Sequence, residues 1–461
     1  MRFLSVLFAI AVAACVNEAP PRAMNINDPS LDGVWISKAY GEIYDVSAGA
    51  FTYYEWTDNT CVRGEGEGEA LEDYVSVIQD LGDGSIALSS PEEPYPYVYE
   101  RLSALPATCR QPSPDTIQSN FDVFASAFET YYPFFDLYGV DWQSVVDEQR
   151  ALITDETTEL ELFRMLRVLV SDLKDAHIEI RANINGEREI FDANAGKTET
   201  NLFRTAISAG ENPMRARAEY RRKFWLSDLQ QNLHHGEGVI VGDGAIQYGL
   251  VSGDIGMISL RTMGGFMETE EGTELGVLNA ALDDALGMFE QAEAKAVIVN
   301  LAMNYGGYDY ISRALAERFT AQPTRAYSKR SANDPHAEPF VYTLQPSEGV
   351  RFTGPVYLLT SDVTVSAGEI ATLSLRALPN VTHVGEATRG AFSDVLSRQL
   401  PNGWEFTLSS ELYYDHEGEI WEGKGVPPEI EIPVFDQKDP HKGFLEAMTR
   451  LVELIDADLS K

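Results

Sequence analysis

The sequence predicts an α/β fold preceded by a small β-rich domain. Two observations carry the prediction. From about residue 246 short apolar runs alternate with helical patterns, in the order strand, helix, strand, helix, strand, helix. Residues 31–105 instead hold short alternating runs rich in Tyr, Trp, Val and Gly, cut by turn signals such as Asp58-Asn59 and Gly82-Asp83-Gly84.

The 461 residues suffice for two or three domains and a large core. The formal net charge of −37, from 35 basic and 72 acidic side chains, argues against a nucleic-acid partner, because phosphate binding needs a basic face. Met1-Arg2 followed by the apolar run Phe3 to Ala14 has the form of a signal peptide. It ends Val12-Ala13-Ala14-Cys15, which resembles a bacterial lipobox, so residues 1–15 read as a lipoprotein signal with Cys15 as the lipidated residue. An ordinary secretory signal ending near a cysteine is the alternative. Val16 after the cysteine points to the outer membrane, periplasmic face, and residues 16–30 read as a tether. Cys61 and Cys109 could pair in an oxidising envelope, although sequence does not fix their separation.

After a linker at Pro106 to Pro114 the period changes. Phe121, Phe124, Phe128 and Tyr131 recur at helical spacing, Val145, Val146 and Leu152 suggest a second helix, and Thr158 with Glu161 forms a capping-box pattern opening a third. Leu160, Phe163, Leu166, Leu169 and Leu173 lie on one side of that helix, so residues 116–184 read as a helical lobe in which His177 falls at a helix-to-strand junction. Residues 185–245 read as a helical insertion of unclear role, with helix over about 213–233 and His234-His235 as a solvated pair.

Residues 246–435 are the α/β core. Its strands are Ile255 to Leu260, Ala296 to Leu301 and Val356 to Leu359; its helices are marked by Leu275 to Phe289, Tyr310 to Phe319 and Ala367 to Leu378. Residues 322–350 read as a polar loop. Val395 to Leu400 and Trp404 to Leu408 flank Asn402-Gly403, a hairpin signal, and Glu411 to Tyr414 and Ile420-Trp421 flank His416-Glu417-Gly418. A C-terminal helix closes the chain within 436–461.

Ser366 would sit where a strand hands over to a helix, either as an N-cap or as a nucleophile beside free backbone N–H groups. The N–H groups of Ala367, Gly306 and Gly307 are the candidate oxyanion donors.

Four motifs in order resemble the tail-specific proteases, the family of C-terminal processing peptidases and the tricorn core protease. They are Leu173 to His177, Asn304 to Gly307, Thr360 to Glu369, and Val384 to Gly390 with Gly425 to Pro428. The resemblance spans about 116–435 and implies a ClpP/crotonase-like spiral core with an N-terminal helical lobe. It implies a serine-type peptidase acting on peptides or unfolded proteins without cofactor or metal. The lysine of processing peptidases is absent at Gly390-Ala391-Phe392, so the tricorn-like solution is implied: Ser366 as nucleophile, His177 as base and Glu422 as its carboxylate. Glu369, Glu386 and Asp175 are rival carboxylates. Asn300-Leu301-Ala302 replaces the family's Asp-x-Arg, and residues 185–245 do not fit a full PDZ domain. The alternative is a non-catalytic binding protein on the same fold, holding an apolar ligand or peptide, as related retinoid-binding proteins do. A structural lipoprotein whose β domain docks a partner is a third reading.

Overall fold

The structure is a computed structural model that describes residues 22–64, 68–70, 76–267, 273–334, 337–436 and 438–461. The signal segment and Cys15 lie outside them. The chain divides into two compact units, one of residues up to Ser37 with Glu42–Tyr53 and Gly64–Pro106, the other of Lys38–Gly41, Tyr54–Arg63 and Ala107–Lys461.

The first unit is an antiparallel sheet. Arg22–Met24 pairs with Val77–Asp80, which pairs with Ser85–Ser89, and that with Tyr97–Leu102, Gly33–Ser37 and Glu42–Ser47 in turn. Leu31, Trp35, Val46, Phe51, Ile78, Ile86, Leu88 and Tyr99 form its core. The Trp35 indole N–H, which burial would otherwise orphan, donates to the Leu31 carbonyl at 2.7 Å. Part of the segment read as a tether is therefore ordered: Arg22–Met24 is an edge strand, because Val77–Asp80 offers it a free ladder.

In the second unit the helices Ile117–Tyr131, Trp142–Arg150 and Glu159–Val170 start on the side chains of Thr116, Asp141 and Thr158, each accepting a first-turn N–H. The Thr158–Glu161 capping box is complete. Phe121, Phe124 and Phe128 are fully buried, and Phe124 packs its ring 4.7 Å from that of Phe406. Leu160, by contrast, faces solvent, and Leu162 takes the inward position. Cys61 and Cys109 are joined, with Cα atoms 5.1 Å apart and a separation of 48 positions in sequence; a cross-link closing such a loop contributes about 2–4 kcal/mol.

A seven-stranded sheet forms the centre, in the order Val239–Val241, Ile246–Ser252, Ile255–Leu260, Ala296–Asn300, Val356–Thr360, Val381–Gly385, Ile430–Glu431. The first two pairings are antiparallel and the remaining four parallel. Every residue of Val356–Thr360 is buried, the expected state of a parallel strand covered on both faces. Each apolar side chain there contributes about 1.5–3 kcal/mol by its removal from water. Helices Glu274–Gln291, Asp309–Glu317 and Ala367–Arg376 connect the strands, and Pro440–Leu459 closes the chain.

The predicted hairpin at Asn402-Gly403 joins Val395–Gln399 to Glu405–Ser409, with Gly403 donating to the Leu400 carbonyl. Three expectations need correction. The segment 322–350 is not a loop: Thr324–Ser331 pairs with Phe340–Leu344 and with Glu411–Asp415, so Ile420-Trp421 forms no strand. Its polar look comes from inward-facing Lys329, which is fully buried between Asp394 (2.6 Å) and Glu411 (3.2 Å). The insertion begins with a strand, Glu187–Asp192, paired with Glu179–Ile184, and an unpredicted helix, Lys197–Ser208; the helix Pro213–Lys223 then runs into a π-helical stretch, Phe224–Leu233. His234 is buried with Nδ1 3.3 Å from the Leu250 carbonyl oxygen, whereas His235 is exposed.

Among the described residues no helix is long and apolar enough to cross a membrane, and no cluster of His, Cys, Asp and Glu is arranged to hold a metal ion.

Candidate active site

Ser366 lies at the end of a tight turn between Val356–Thr360 and Ala367–Arg376. Its backbone is left-handed, at φ 57° and ψ −128°, unlike the extended backbone of an ordinary N-cap. A non-glycine residue held this way costs about 1–3 kcal/mol, so its surroundings must over-determine it. The Ser366 N–H donates to the Ala391 carbonyl at 3.1 Å and to Glu369 Oε2 at 3.2 Å. The Ser366 carbonyl accepts from Glu369 N–H at 2.7 Å. Ser361 and Thr364 tie the turn to the neighbouring strand end through the carbonyls of Ala302 and Leu301, at 2.6 and 2.8 Å. The fold thus spends many bonds to present one half-buried hydroxyl.

Opposite it stands the Asn304–Gly307 loop. Asn304 is fully buried; its Nδ2 donates to the Leu260 carbonyl, its Oδ1 accepts Gly306 N–H at 2.9 Å, and its own carbonyl accepts Val365 N–H. Gly306 has φ 82°, and a Cβ there would lie 2.6 Å from Ser366 Cβ and 3.1 Å from its Oγ. Met263 fixes the loop from the other side, donating to the Gly306 carbonyl and accepting from Tyr308, both at 2.7 Å. The three candidate oxyanion donors therefore differ. Gly306 N–H is already committed to Asn304, which removes it from that role. The N–H groups of Gly307 and Ala367 donate to no acceptor among the described residues.

Residues 389–394 link the remaining groups. Glu369 accepts Gly390 N–H at 2.7 Å and Ala391 N–H at 2.8 Å. Glu422 accepts the N–H groups of Phe392 and Ser393 at 3.0 and 3.2 Å. The loop carrying Glu422 is pressed against this segment: Gly423 donates to the Gly390 carbonyl, and a Cβ on Gly425 (φ 75°) would come 1.9 Å from the Thr388 carbonyl oxygen. Burial pushes the Glu369 carboxyl up to about 7 despite its N–H donors. Burial, then the charge of Asp175, pushes the Glu422 carboxyl well above its ordinary value, which favours its protonated form.

His177 follows Lys174 (φ 41°) and Asp175, whose Oδ1 accepts His177 N–H at 2.8 Å. Thr407 Oγ1 donates to the His177 carbonyl at 2.7 Å, tying the junction to the Glu405–Ser409 strand. Burial lowers the imidazole pKa; Asp175 and Asp394 pull it back in part and Arg389 opposes them. The ring is therefore neutral at neutral pH. Neither ring nitrogen has a hydrogen-bond partner, and Asp175 Oδ2, Glu422 Oε1 and the hydroxyls of Tyr132 and Tyr138 are likewise buried without one. The Ser366–His177 and His177–Glu422 hydrogen bonds implied by the resemblance are thus not made. The carboxylate that acts most strongly on His177 is Asp175, two residues before it, rather than Glu422. Glu386 lies elsewhere, raised by burial and by Asp362 and bonded to the Val434–Phe435 backbone. A charged trio that sequence reasoning missed, with Lys329 and Glu411 fully buried and Asp394 half-exposed, backs the site. Lys329 holds Asp394 low against the effect of burial, while burial pushes Glu411 up to about 7.

A serine in a strained strand-to-helix turn, facing two unclaimed N–H groups, is an arrangement able to carry acyl transfer. Comparison with known proteins agrees. Residues 254–432 match peptidase family S41, and residues 113–171 match the tricorn protease C1 domain. The α/β core is thus similar to the peptidase family S41 domain. Over 155 residues it is 24% identical to the carboxy-terminal processing protease CtpA of Bacillus subtilis (strain 168), covering 34% of this chain. That match spans 32% of the relative's length. The fold is shared with a candidate peptidase from Parabacteroides merdae (TM-score 0.58, 22% identity, 74% of this chain and 96% of that one). It is shared also with mature CPAF, solved with lactacystin (TM-score 0.51, 13% identity, 74% and 98%). The S41 match begins at Ile255–Leu260 and ends at Ile430–Glu431, so it contains Ser366, Glu369 and Glu422 but not His177.

Proposed function

We propose that this chain is a serine peptidase that hydrolyses peptide bonds through an acyl-enzyme. Ser366 is the nucleophile and His177 the general base. The observation that carries the reading is the strained Ser366 turn beside the unclaimed N–H groups of Gly307 and Ala367. The Ser366 hydroxyl attacks the scissile carbonyl and its proton passes to His177. The two N–H groups take the oxyanion, and the imidazolium then protonates the leaving amine. Water repeats the sequence to free Ser366. Catalytic hydrogen bonds of this kind often close only once substrate is bound, in line with an imidazole that has no partner in the free chain. Burial and the charge of Asp175 push the Glu422 carboxyl up, which favours its neutral form, so Asp175, the carboxylate that acts most strongly on His177, is the charge that balances the imidazolium.

The pH profile tests this. His177 must be neutral to accept a proton, and burial lowers its pKa. With an unfolded protein as substrate, kcat/KM is expected to stay flat as pH falls through ~6.5, the ordinary histidine value. An acid limb centred at or above that value contradicts the assignment.

Gly306→Ala would thrust a methyl group at the nucleophile. Turnover is expected to fall ~10²–10³-fold, the scale of a lost oxyanion contact, with the protein still folded by circular dichroism. Activity near wild type would contradict the geometry.

The lipobox ending at Cys15 supports a lipid-anchored protein of the bacterial envelope, on the periplasmic face of the outer membrane. Labelled palmitate should be incorporated by the full chain expressed in a bacterium and not by Cys15→Ala; equal labelling would exclude it.

A further inference from the structure

The helical insertion forms one side of a cavity of about 770 Å³ that reaches Tyr305 in the Asn304–Gly307 loop. Met214, Arg217, Ala218, Arg221, Arg222 and Trp225, at helical spacing, present one face of the Pro213–Lys223 helix and its π-helical continuation to this cavity. Arg261 lies across from them. Thr262 and Gly264, either side of Met263, line it, and so does Tyr305, next to Gly306. The cavity is thus one residue removed from the Met263–Gly306 contact that borders Ser366.

Its charge is the reverse of the molecule's. In a chain of net charge −37, four arginines line this one cavity and, among the described residues, no acidic side chain does. Arg217 and Arg221 share one buried carboxylate, Glu199, at 3.7 and 2.6 Å, and the Arg221 guanidinium lies 3.4 Å from the centre of the Tyr305 ring. The Arg221 Nε–H is buried without an acceptor. Arg222 pairs with no carboxylate among the described residues, and Arg261 has only the Asp243 carbonyl, at 2.8 Å. Met214 and Leu226 add exposed apolar surface to the same wall.

We propose that this cavity is a specificity site that takes acidic side chains of a substrate peptide, with an apolar neighbour on Met214 and Leu226. The proposal rests on the peptidase reading only for the word substrate. Guanidiniums hold carboxylates in paired, charge-assisted bonds. Four guanidiniums set against one internal carboxylate exceed what a single terminal carboxylate would neutralise, which favours side chains over a chain end. The site also needs selectivity at short range, because the acidic surface as a whole repels an acidic peptide.

The test uses the full chain with Ser366→Ala, immobilised at an ionic strength where the Debye length is about 8 Å. A randomised peptide mixture amidated at its C-termini is passed over it, and retained peptides are read by mass spectrometry. Asp and Glu are expected to be enriched about tenfold over Asn and Gln, the scale of one retained charged contact. The enrichment should vanish, or turn to Lys and Arg, when Arg222→Glu and Arg261→Glu are added; both residues are exposed, so the fold should tolerate them. Retention without acidic preference, retention unchanged by the two reversals, or no retention overturns the proposal. Acidic preference that appears only in a parallel mixture with free C-termini also overturns it, since the chain end is then what binds. The inactive protein makes this readout independent of catalysis. Acid-selective binding by a chain that hydrolyses nothing would sink the peptidase reading alone; hydrolysis with no acidic preference in binding would sink the specificity site alone.

Discussion

Ser366→Ala is expected to lower kcat by about 10³–10⁶-fold, the range seen when a serine nucleophile is removed and the rest of a site remains. Stability should barely change, because alanine inherits the same left-handed backbone. Ser366→Gly should be equally inactive yet more stable than Ser366→Ala by about 1–2 kcal/mol, since glycine adopts positive φ without strain. Chemical denaturation of the two variants, next to their rates, checks both halves. If the glycine variant is not the more stable, the turn is not under the strain described. If alanine leaves the rate intact, Ser366 is not the nucleophile.

The second large effect separates Asp175 from Glu422. Glu422 accepts two backbone N–H groups on one oxygen, and burial beside Asp175 favours its protonated form. In Glu422→Gln the amide oxygen can accept the same two N–H groups while the NH₂ replaces the acid O–H, so kcat should fall less than about tenfold. Asp175→Asn removes the charge that acts most strongly on His177 and should cost about 10²–10⁴-fold, as for the orienting carboxylate of a serine triad. It should also move the acid limb of kcat/KM to lower pH, because Asp175 raises the His177 pKa. Stability supplies an independent check. A carboxyl whose folded pKa lies above its unfolded value binds more protons folded than unfolded, so its contribution falls as pH rises above the ordinary carboxyl range. Glu422→Gln should remove part of that decline. Should Glu422→Gln prove as severe as His177→Ala, the ionised form of Glu422 is the working partner of His177.

Signals that were local in the chain were legible. The apolar run Val356 to Leu359 specified a strand buried on both faces, Thr158 with Glu161 specified a helix start, and Asn402-Gly403 specified a hairpin. The Asn304–Gly307 and Thr360–Glu369 motifs fell on the two loops that meet at Ser366. What was illegible depended on partners distant in sequence. Thr324–Ser331 looked like a loop because the charge that buries Lys329 comes from Asp394 and Glu411. The Lys197–Ser208 helix has a polar sequence, and its N-terminus is fixed by Asp362, which accepts from Thr198 N–H at 2.7 Å and Oγ1 at 2.5 Å. His234 looked solvated because its covering strand, Ile246–Ser252, follows it in the chain. The commitment of Gly306 N–H to Asn304 is set by side-chain geometry that a Gly-Gly pair does not encode. The upward shift of the Glu422 carboxyl depends on burial and on Asp175, a group distant in sequence.

Intact-mass analysis after reaction with a fluorophosphonate probe tests the account most directly, because that reagent needs an activated serine and the donors that stabilise its adduct. One adduct per chain is predicted, mapped by peptide digestion to Ser366, absent from Ser366→Ala and much slowed in His177→Ala. A folded wild-type protein that stays unmodified, or an adduct on a different serine, would contradict the account and leave a binding protein built on the same fold.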